Sequence, residues 1–253
     1  MAEGDTILRL ARRLDAALGG EALAASAPSP RGKAAGVERL DGRRLEAARA
    51  RGKHLLLEFE GDLVLHSHLG MSGGWHLYPR GATWRRSPAA AWAVLRGERQ
   101  EAVQFGGPTL RVMPAPRARR DPELARLGPD LLAEDFASAA AVAGLRRNQA
   151  RPLGEALLDQ TAVAGIGNIF KSEACFAARV DPWRPVGGLS DAELAAVLSA
   201  AREQMLAAVA AGGRKDLAIY RRRGPCPTCG GRISSRGQGD ANRTTYWCPS
   251  CQR

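Results

Sequence analysis

Four of the five cysteines carry the sharpest chemical pattern in the sequence. Cys226-Pro-Thr-Cys229, eighteen residues, then Cys248-Pro-Ser-Cys251 has the interval of a closed four-thiolate zinc site. Each C-x-x-C turn offers two sulfurs, and two facing turns complete a tetrahedron. A lone C-x-x-C also suits redox chemistry; two at this interval select a metal. With no open position, the ion is structural and holds about 30 residues that are too few to bury a core of their own. Cys175 lies in an apolar helical run and reads as core.

The residues around the cysteines are basic. From Arg221 to Arg253 there are seven Arg and one Asp, and "NRTTYWC" reads as a strand carrying Arg243 just before the second cysteine pair. Such a hairpin can lay Arg243 against phosphates; alternatively the arginines only solvate a small module. The whole chain has 37 Lys+Arg against 26 Asp+Glu, a formal charge of +11. That balance points to a polyanion, nucleic acid ahead of anionic membrane, and says nothing of the fold. Glu3 and Asp5 at the start and Arg202 and Glu203 within Leu194–Ala211 argue against a signal peptide and a membrane span, so the chain is expected in the cytoplasm. Five cysteines so placed do not make a disulfide framework.

Several elements must position this chemistry. Ser190-Asp-Ala-Glu193 is a capping box opening a helix with 3.6-residue spacing through Leu194, Val197, Leu198, Ala201, Met205 and Val209 to Gly212-Gly213. Before it, "LLDQTAVAGIGNIFKSEACFAARV" is an apolar-periodic run split at Gly165-Ile-Gly167-Asn168. This predicts two helices joined by a glycine-rich double turn, with Asn168 at the second N-cap beside backbone N–H groups open to a phosphate. An ordinary helical hairpin fits the same spacing. In the front half, "HLLLEFE", "LVLHSHLGM", "GWHLY", "AWAVLRG", "EAVQF" and "TLRVM" predict short strands of a sandwich or barrel. Ile7, Leu10, Ala11, Leu14 and Leu18 predict an initial helix capped by Asp5 or Thr6 and ended by Gly19-Gly20. Arg111–Arg126, with five Arg, two acids and Pro114, Pro116 and Pro122, reads as a linker.

"AEGDT", "RGKHLLL", "SHLGMSG", "LLDQTAVAGIGNIFKSE" and "RTTYWCPSCQ" occur in this order along the chain. Together they resemble the formamidopyrimidine-DNA glycosylase/endonuclease VIII family of base-excision repair enzymes, and the "EGDT" start is more similar to the endonuclease VIII branch. The stretch from Trp75 to Asn148 contributes little to the likeness. The resemblance implies a multidomain α and β fold: an N-terminal helix with a two-sheet β-sandwich (1–115), a linker (116–127), a helix–two-turn–helix domain (128–220) and a C-terminal zinc β-hairpin (221–253). It implies one structural Zn2+ on Cys226, Cys229, Cys248 and Cys251. The expected partner of the monomer is double-stranded DNA containing damaged bases or abasic sites, at the nucleoid if the source is bacterial, with no membrane.

The resemblance also implies roles. Removal of Met1 exposes the α-amine of residue 2, which attacks C1′ of the damaged nucleotide, expels the base and forms a Schiff base that drives strand cleavage. An α-amine titrates near 7.7–8.0, so roughly a tenth is uncharged at neutral pH, against a few parts in ten thousand of a lysine. Glu3 is implied as the acid/base; a glutamate beside a helix start also serves as a dipole partner. Lys53 is implied to reach the phosphate next to the lesion, from a chain with only four Lys. Asn168 and Arg243 are implied to bind phosphates, and Met71 to fill the gap left by an extruded base. Lys53 as an exposed strand residue and Met71 as turn packing are the plain alternatives. His66 and His68 lack a third ligand nearby in sequence and read as packing or DNA-facing residues.

One departure bears on activity. The resembling family usually has Pro where this chain has Ala2. A proline adduct is a permanently charged iminium, whereas an alanine imine must be protonated to act as an electron sink. Three functions stand: a bifunctional glycosylase/lyase that removes oxidised bases, pyrimidines favoured; a weakened or inactive paralogue that binds damaged DNA; and a zinc-ribbon protein of RNA or ribosome metabolism.

Overall fold

The computed structural model describes residues 2–253; the expected loss of Met1 concerns a residue outside them. The chain divides into two compact units. The first holds Thr6–Ala125 with Ala2, and the second holds Arg126–Arg253 with Glu3–Asp5. Among the described residues no helix is long and apolar enough to cross a membrane.

The first unit begins with α1 (Gly4–Leu18), whose Ile7, Leu10, Ala11, Leu14 and Leu18 are all buried, as their spacing predicts. Asp5 and Thr6 lie inside the first turn instead of capping it. Then come β1 (Ala22–Ser26), α2 (Pro30–Ala34), β2 (Arg43–Arg51), β3 (His54–Phe59), β4 (Leu63–His68), β5 (Gly74–Pro79), β6 (Ala93–Arg96), β7 (Gln100–Phe105) and β8 (Thr109–Pro114). The strands follow the order β5-β7-β6-β1-β2-β3-β4-β8. β1 joins two antiparallel four-stranded sheets: its first residues pair with β2 (Leu23↔Arg43) and its last with β6 (Ser26↔Val94). Leu23, Leu45, Leu55, Leu57, Leu65 and Leu95 bury against α1 residues in one core, giving the expected two-sheet arrangement.

Six of the eight strands were legible as short β-rich runs between turn residues. β1 and β2 were not. "RRLEAARAR" of β2 is poor in β-branched and aromatic residues. It is a strand because β3 pairs along most of its length, with a bulge between Leu45 and Ala47, and Leu45 is buried. The proline-rich stretch read as a linker is also structured. Arg111 lies in β8, and α3 (Ala115–Arg119) and α4 (Pro122–Ala125) belong to the first unit.

The second unit contains α5 (Ser138–Arg146), α6 (Leu153–Ala156), α7 (Asn168–Ala177), α8 (Asp191–Ala210) and a hairpin of β9 (Ser234–Gln238) and β10 (Arg243–Trp247). The capping box of α8 forms as predicted: Glu193 N donates to Ser190 Oγ at 3.2 Å and Ser190 N to Glu193 Oε2 at 2.7 Å. Its Leu194, Val197, Leu198, Ala201 and Met205 bury against Ile166, Phe170 and Ala174. Glu173, buried on α7, accepts backbone N–H bonds from Ala218 (2.7 Å), Ile219 (2.9 Å) and Tyr220 (2.7 Å), and so anchors the segment after α8. An amide in place of this carboxylate turns an NH2 toward donors. Glu173→Gln should therefore cost ~1–3 kcal/mol, read as a lowered urea midpoint at unchanged slope.

Candidate nucleic-acid interface and catalytic terminus

Residues Glu3–Asp5 are built into the second unit. Glu3 is fully buried. Its Oε2 accepts N–H bonds from Gly167 (3.1 Å) and Phe170 (3.3 Å), and its Oε1 accepts from Ile169 (2.9 Å). These are donors that α7 cannot satisfy internally, and the helix N-terminus favours a negative group there. Gly4 N donates to Gly165 O at 2.9 Å, and the buried Asp5 carboxylate takes two bonds from the Arg214 guanidinium. The two glycines have separate reasons. Gly165 holds φ at 108°, and a Cβ on Gly167 would lie 2.3 Å from Glu3 Cγ and Cδ. The N–H groups expected to seat a phosphate are thus occupied: the protein's own carboxylate satisfies them. Asn168 is the first helical residue, and Gly167 is the N-cap.

Asn168 points toward the hairpin. Its Nδ2 donates to Thr244 O at 2.8 Å, next to Arg243 at the start of β10, while its buried Oδ1 has no hydrogen-bond partner among the described residues. One turn on, buried Lys171 donates to Thr245 Oγ1 (2.6 Å), which donates to Gln238 Oε1 (2.6 Å); Gln238 Nε2 then donates to Pro182 O (2.9 Å). Burial pulls the Lys171 ammonium down to about 8 and pushes the Cys175 thiol up to about 12, which keeps that thiol inert.

The four hairpin cysteines converge. Cys226 and Cys251 sulfurs are 3.8 Å apart, those of Cys229 and Cys248 are 3.6 Å apart, and one sulfur from each lies within 4.8 Å of the others. Ligands ~2.3 Å from a central ion make a tetrahedron with edges of about 3.8 Å, so the donor set fits a tetrahedral thiolate-bound metal. Gln252 braces the second pair, accepting from Cys248 N at 2.8 Å and donating to Val180 O at 2.9 Å.

In the first unit, Ala2 is partly buried against the core. Lys53 occupies the tip of the β2–β3 hairpin, after Gly52 at φ 57°, so it is a turn residue and not a strand residue. Met71 follows Gly70 in the turn after β4 and is 62% exposed. His66 and His68 do have neighbours that the sequence concealed. His54 Nδ1 is 2.9 Å from His66 Nε2, and Arg111 Nε contacts His66 Nδ1 at 3.3 Å while Arg111 Nη2 binds Asp121 (2.8 Å) and Glu123 (3.1 Å). Burial, with cationic neighbours, pulls His54 down to about 3 and His66 down to about 4.

The family model "Formamidopyrimidine-DNA glycosylase N-terminal domain" matches residues 1–108, and "Formamidopyrimidine-DNA glycosylase H2TH domain" matches 127–217. The chain belongs to the formamidopyrimidine-DNA glycosylase family. It is 40% identical over its full length to a probable endonuclease 8 2 of Streptomyces coelicolor, covering 94% of that protein. It is 35% identical to a DNA-(apurinic or apyrimidinic site) lyase of Mycolicibacterium smegmatis, over 100% of this chain and 99% of that one. A formamidopyrimidine-DNA glycosylase of Lactococcus lactis, solved with a DNA containing N7-benzyl-Fapy-dG, superposes at TM-score 0.86 with 23% identity and 99% coverage of both chains.

Within this family fold, the second unit brings Glu3, Asn168 and Arg243 into one neighbourhood around the start of α7. Ala2 precedes α1, and Lys53 and Met71 lie in two separate turns of the first unit. Sequence reasoning missed Lys171, Glu173 and the Asp5–Arg214 pair. The "KSE" after Asn168 offered a signal, because charged residues on a predicted buried helix require partners.

Two outcomes follow. Gly167→Ala should expel the Glu3 side chain and lower stability by ~1–3 kcal/mol in urea unfolding, while Gly188→Ala, whose Cβ meets nothing within 4 Å, should be near neutral. The buried imidazoles stay neutral in the folded chain but protonate in the unfolded chain below the ordinary value of 6.5. Their stability contribution is therefore full above that value and lost below it, by up to ~1.4 kcal/mol per pH unit for each. Unfolding midpoints should fall from about pH 7 to about pH 5, less steeply in His66→Asn.

Proposed function

We propose that this protein is a bifunctional DNA glycosylase and AP lyase of base-excision repair, acting in the cytoplasm on oxidised bases in duplex DNA, pyrimidines favoured. The observation that carries the proposal is the immobilised Glu3 carboxylate, directly after a residue whose amine becomes the chain terminus once Met1 is removed. The full-length likeness to an endonuclease 8 and to an AP lyase supports the same reading, and the "EGDT" start supports the pyrimidine preference.

In the reaction, the uncharged Ala2 amine attacks C1′ and the glycosidic C–N bond breaks, the departing base taking a proton. The sugar ring opens to an imine on the Ala2 nitrogen. Protonation of that imine draws electrons from the C2′–H bond, and the 3′ phosphate leaves by elimination. Glu3 exchanges protons with the sugar oxygen and C2′; its three N–H bonds hold the carboxylate in position. Lys53, Asn168 and Arg243 bind backbone phosphates, and Met71 fills the void after base extrusion. The four cysteines would hold Zn2+, which would supply no chemistry to the reaction and would fix the knuckles beside the Arg243 strand. The domain limits 1–115, 116–127, 128–220 and 221–253 are proposed as the functional division.

Ala2 in place of the family's Pro favours a second reading, a damaged-DNA-binding paralogue with weak or absent lyase activity. Intact mass and borohydride trapping on an abasic duplex separate the two. The enzyme reading expects a chain lacking Met1 and a covalent adduct on Ala2, with trapping slowed on the order of tenfold or more in Glu3→Gln. Tight abasic-site binding without an adduct would establish the paralogue.

A further inference from the structure

His54 and His68 stand directly opposite each other across the β3–β4 pair, their rings stacked 4.6 Å apart. Glu123, in the first turn of α4, accepts from Arg111 Nη2 on Oε2 at 3.1 Å and turns Oε1 toward His54 Nδ1 at 4.0 Å. That separation is too long for a hydrogen bond. It suits two donors that close onto one ion at about 2.0–2.2 Å each. One donor atom from each of His54, His68 and Glu123 lies within 4.8 Å of the other two. We propose that these three residues form a second metal site, distinct from the cysteine cluster, for a divalent first-row transition ion of the zinc, cobalt and nickel class.

Two imidazoles and a carboxylate, without thiolate, select this class over softer or purely oxygen-seeking ions. Three protein donors leave positions open for water or an anionic oxygen. The surroundings already orient the ligands, as outer partners do around metal sites. Strand pairing fixes the two histidines, His54 is buried, and Arg111 holds the far oxygen of Glu123. Arg111 can only donate, so His66 Nδ1 accepts and His66 Nε2–H donates to His54 Nδ1. An entering ion takes that His54 lone pair, and His66 must give up the bond. Among the described residues, the His68 ring stacks on His54 and has no side-chain hydrogen bond of the kind that ties up His54 Nδ1. Two cations, Lys53 and Arg111, and two carboxylates, Asp121 and Glu123, face the cluster and balance in formal charge. Lys53 directly precedes His54, so a bound ion would stand beside the proposed phosphate contact. The inference does not depend on lyase activity.

The test uses the full chain with its cysteine site loaded with zinc. Co2+ titrated into this protein should bind to saturation at one further ion per chain, with d–d absorption and no thiolate charge-transfer band. His68→Ala and Glu123→Gln should each weaken that binding on the order of tenfold or more while the zinc retained on the cysteines is unchanged. Histidine 15N spectra should show Zn2+ shifting the rings of the ligands His54 and His68, with His66 following as it releases His54, which decides the matter in the wild-type chain even if a variant misfolds. Absence of saturable Co2+ binding, binding unaltered in both variants, or unshifted histidine rings would each overturn the site.

Discussion

A buried carboxylate set on the backbone amides of a helix start is the interaction on which this molecule depends. Glu3 would be costly to bury alone; with Gly167, Ile169 and Phe170 donating to it, the carboxylate and the orphan donors of α7 satisfy each other. Close approach is possible because residue 167 has no Cβ. The Gly4–Gly165 backbone bond and the Asp5–Arg214 pair extend the same anchoring over three consecutive residues. Chain termini are ordinarily the least ordered part of a domain. Here the third residue is held by three backbone N–H bonds, which restricts where the second can go.

α7 passes the constraint onward along its polar side. Asn168 reaches Thr244, Lys171 reaches Thr245 and through it Gln238, Ser172 Oγ accepts from Tyr246 N at 3.3 Å, and Glu173 holds Ala218 to Tyr220. Four neighbouring side chains of one helix thus dock both the hairpin and the segment before it. The cysteine cluster closes the base of that hairpin, and Gln252 ties the cluster to Val180. A two-stranded hairpin is marginal alone; here it is held by a polar network on one side and four converging thiols at its end.

The first unit uses the opposite economy of polar groups. His54, His66 and Ser67 lie buried among leucines, and only a chain of donors and acceptors makes that tolerable: Arg111 to His66, His66 to His54, Trp75 Nε1 to Ser67 Oγ at 3.2 Å. Desolvation keeps these imidazoles neutral, and the Arg111 charge is met by Asp121 and Glu123 from the turn beyond β8. The proline-rich stretch serves as the counter-charge of a buried strand as well as a connection.

Much of this protein was legible in its residues. Apolar periodicity located α1 and α8, because burial of one face imposes a repeat that survives in a single chain, and short β-rich runs between turn residues located six strands. Cysteine spacing located the four-cysteine cluster, because a tetrahedron of sulfurs needs two tight turns wherever they fall in the fold. β2 was hidden because its arginines and alanines lack a strand signature and acquire one only by pairing. The occupant of the α7 amides was hidden for a related reason. Glu3 and Gly167 are 164 positions apart, and no local propensity encodes a contact at that range. The His54, His68 and Glu123 grouping likewise exists only after two strands align and a distant turn returns to them. The sequence by itself determined which groups need partners, since charge, polarity and period are properties of residues. Only the tertiary structure decided which partner each received, because that depends on distances the chain acquires when it folds.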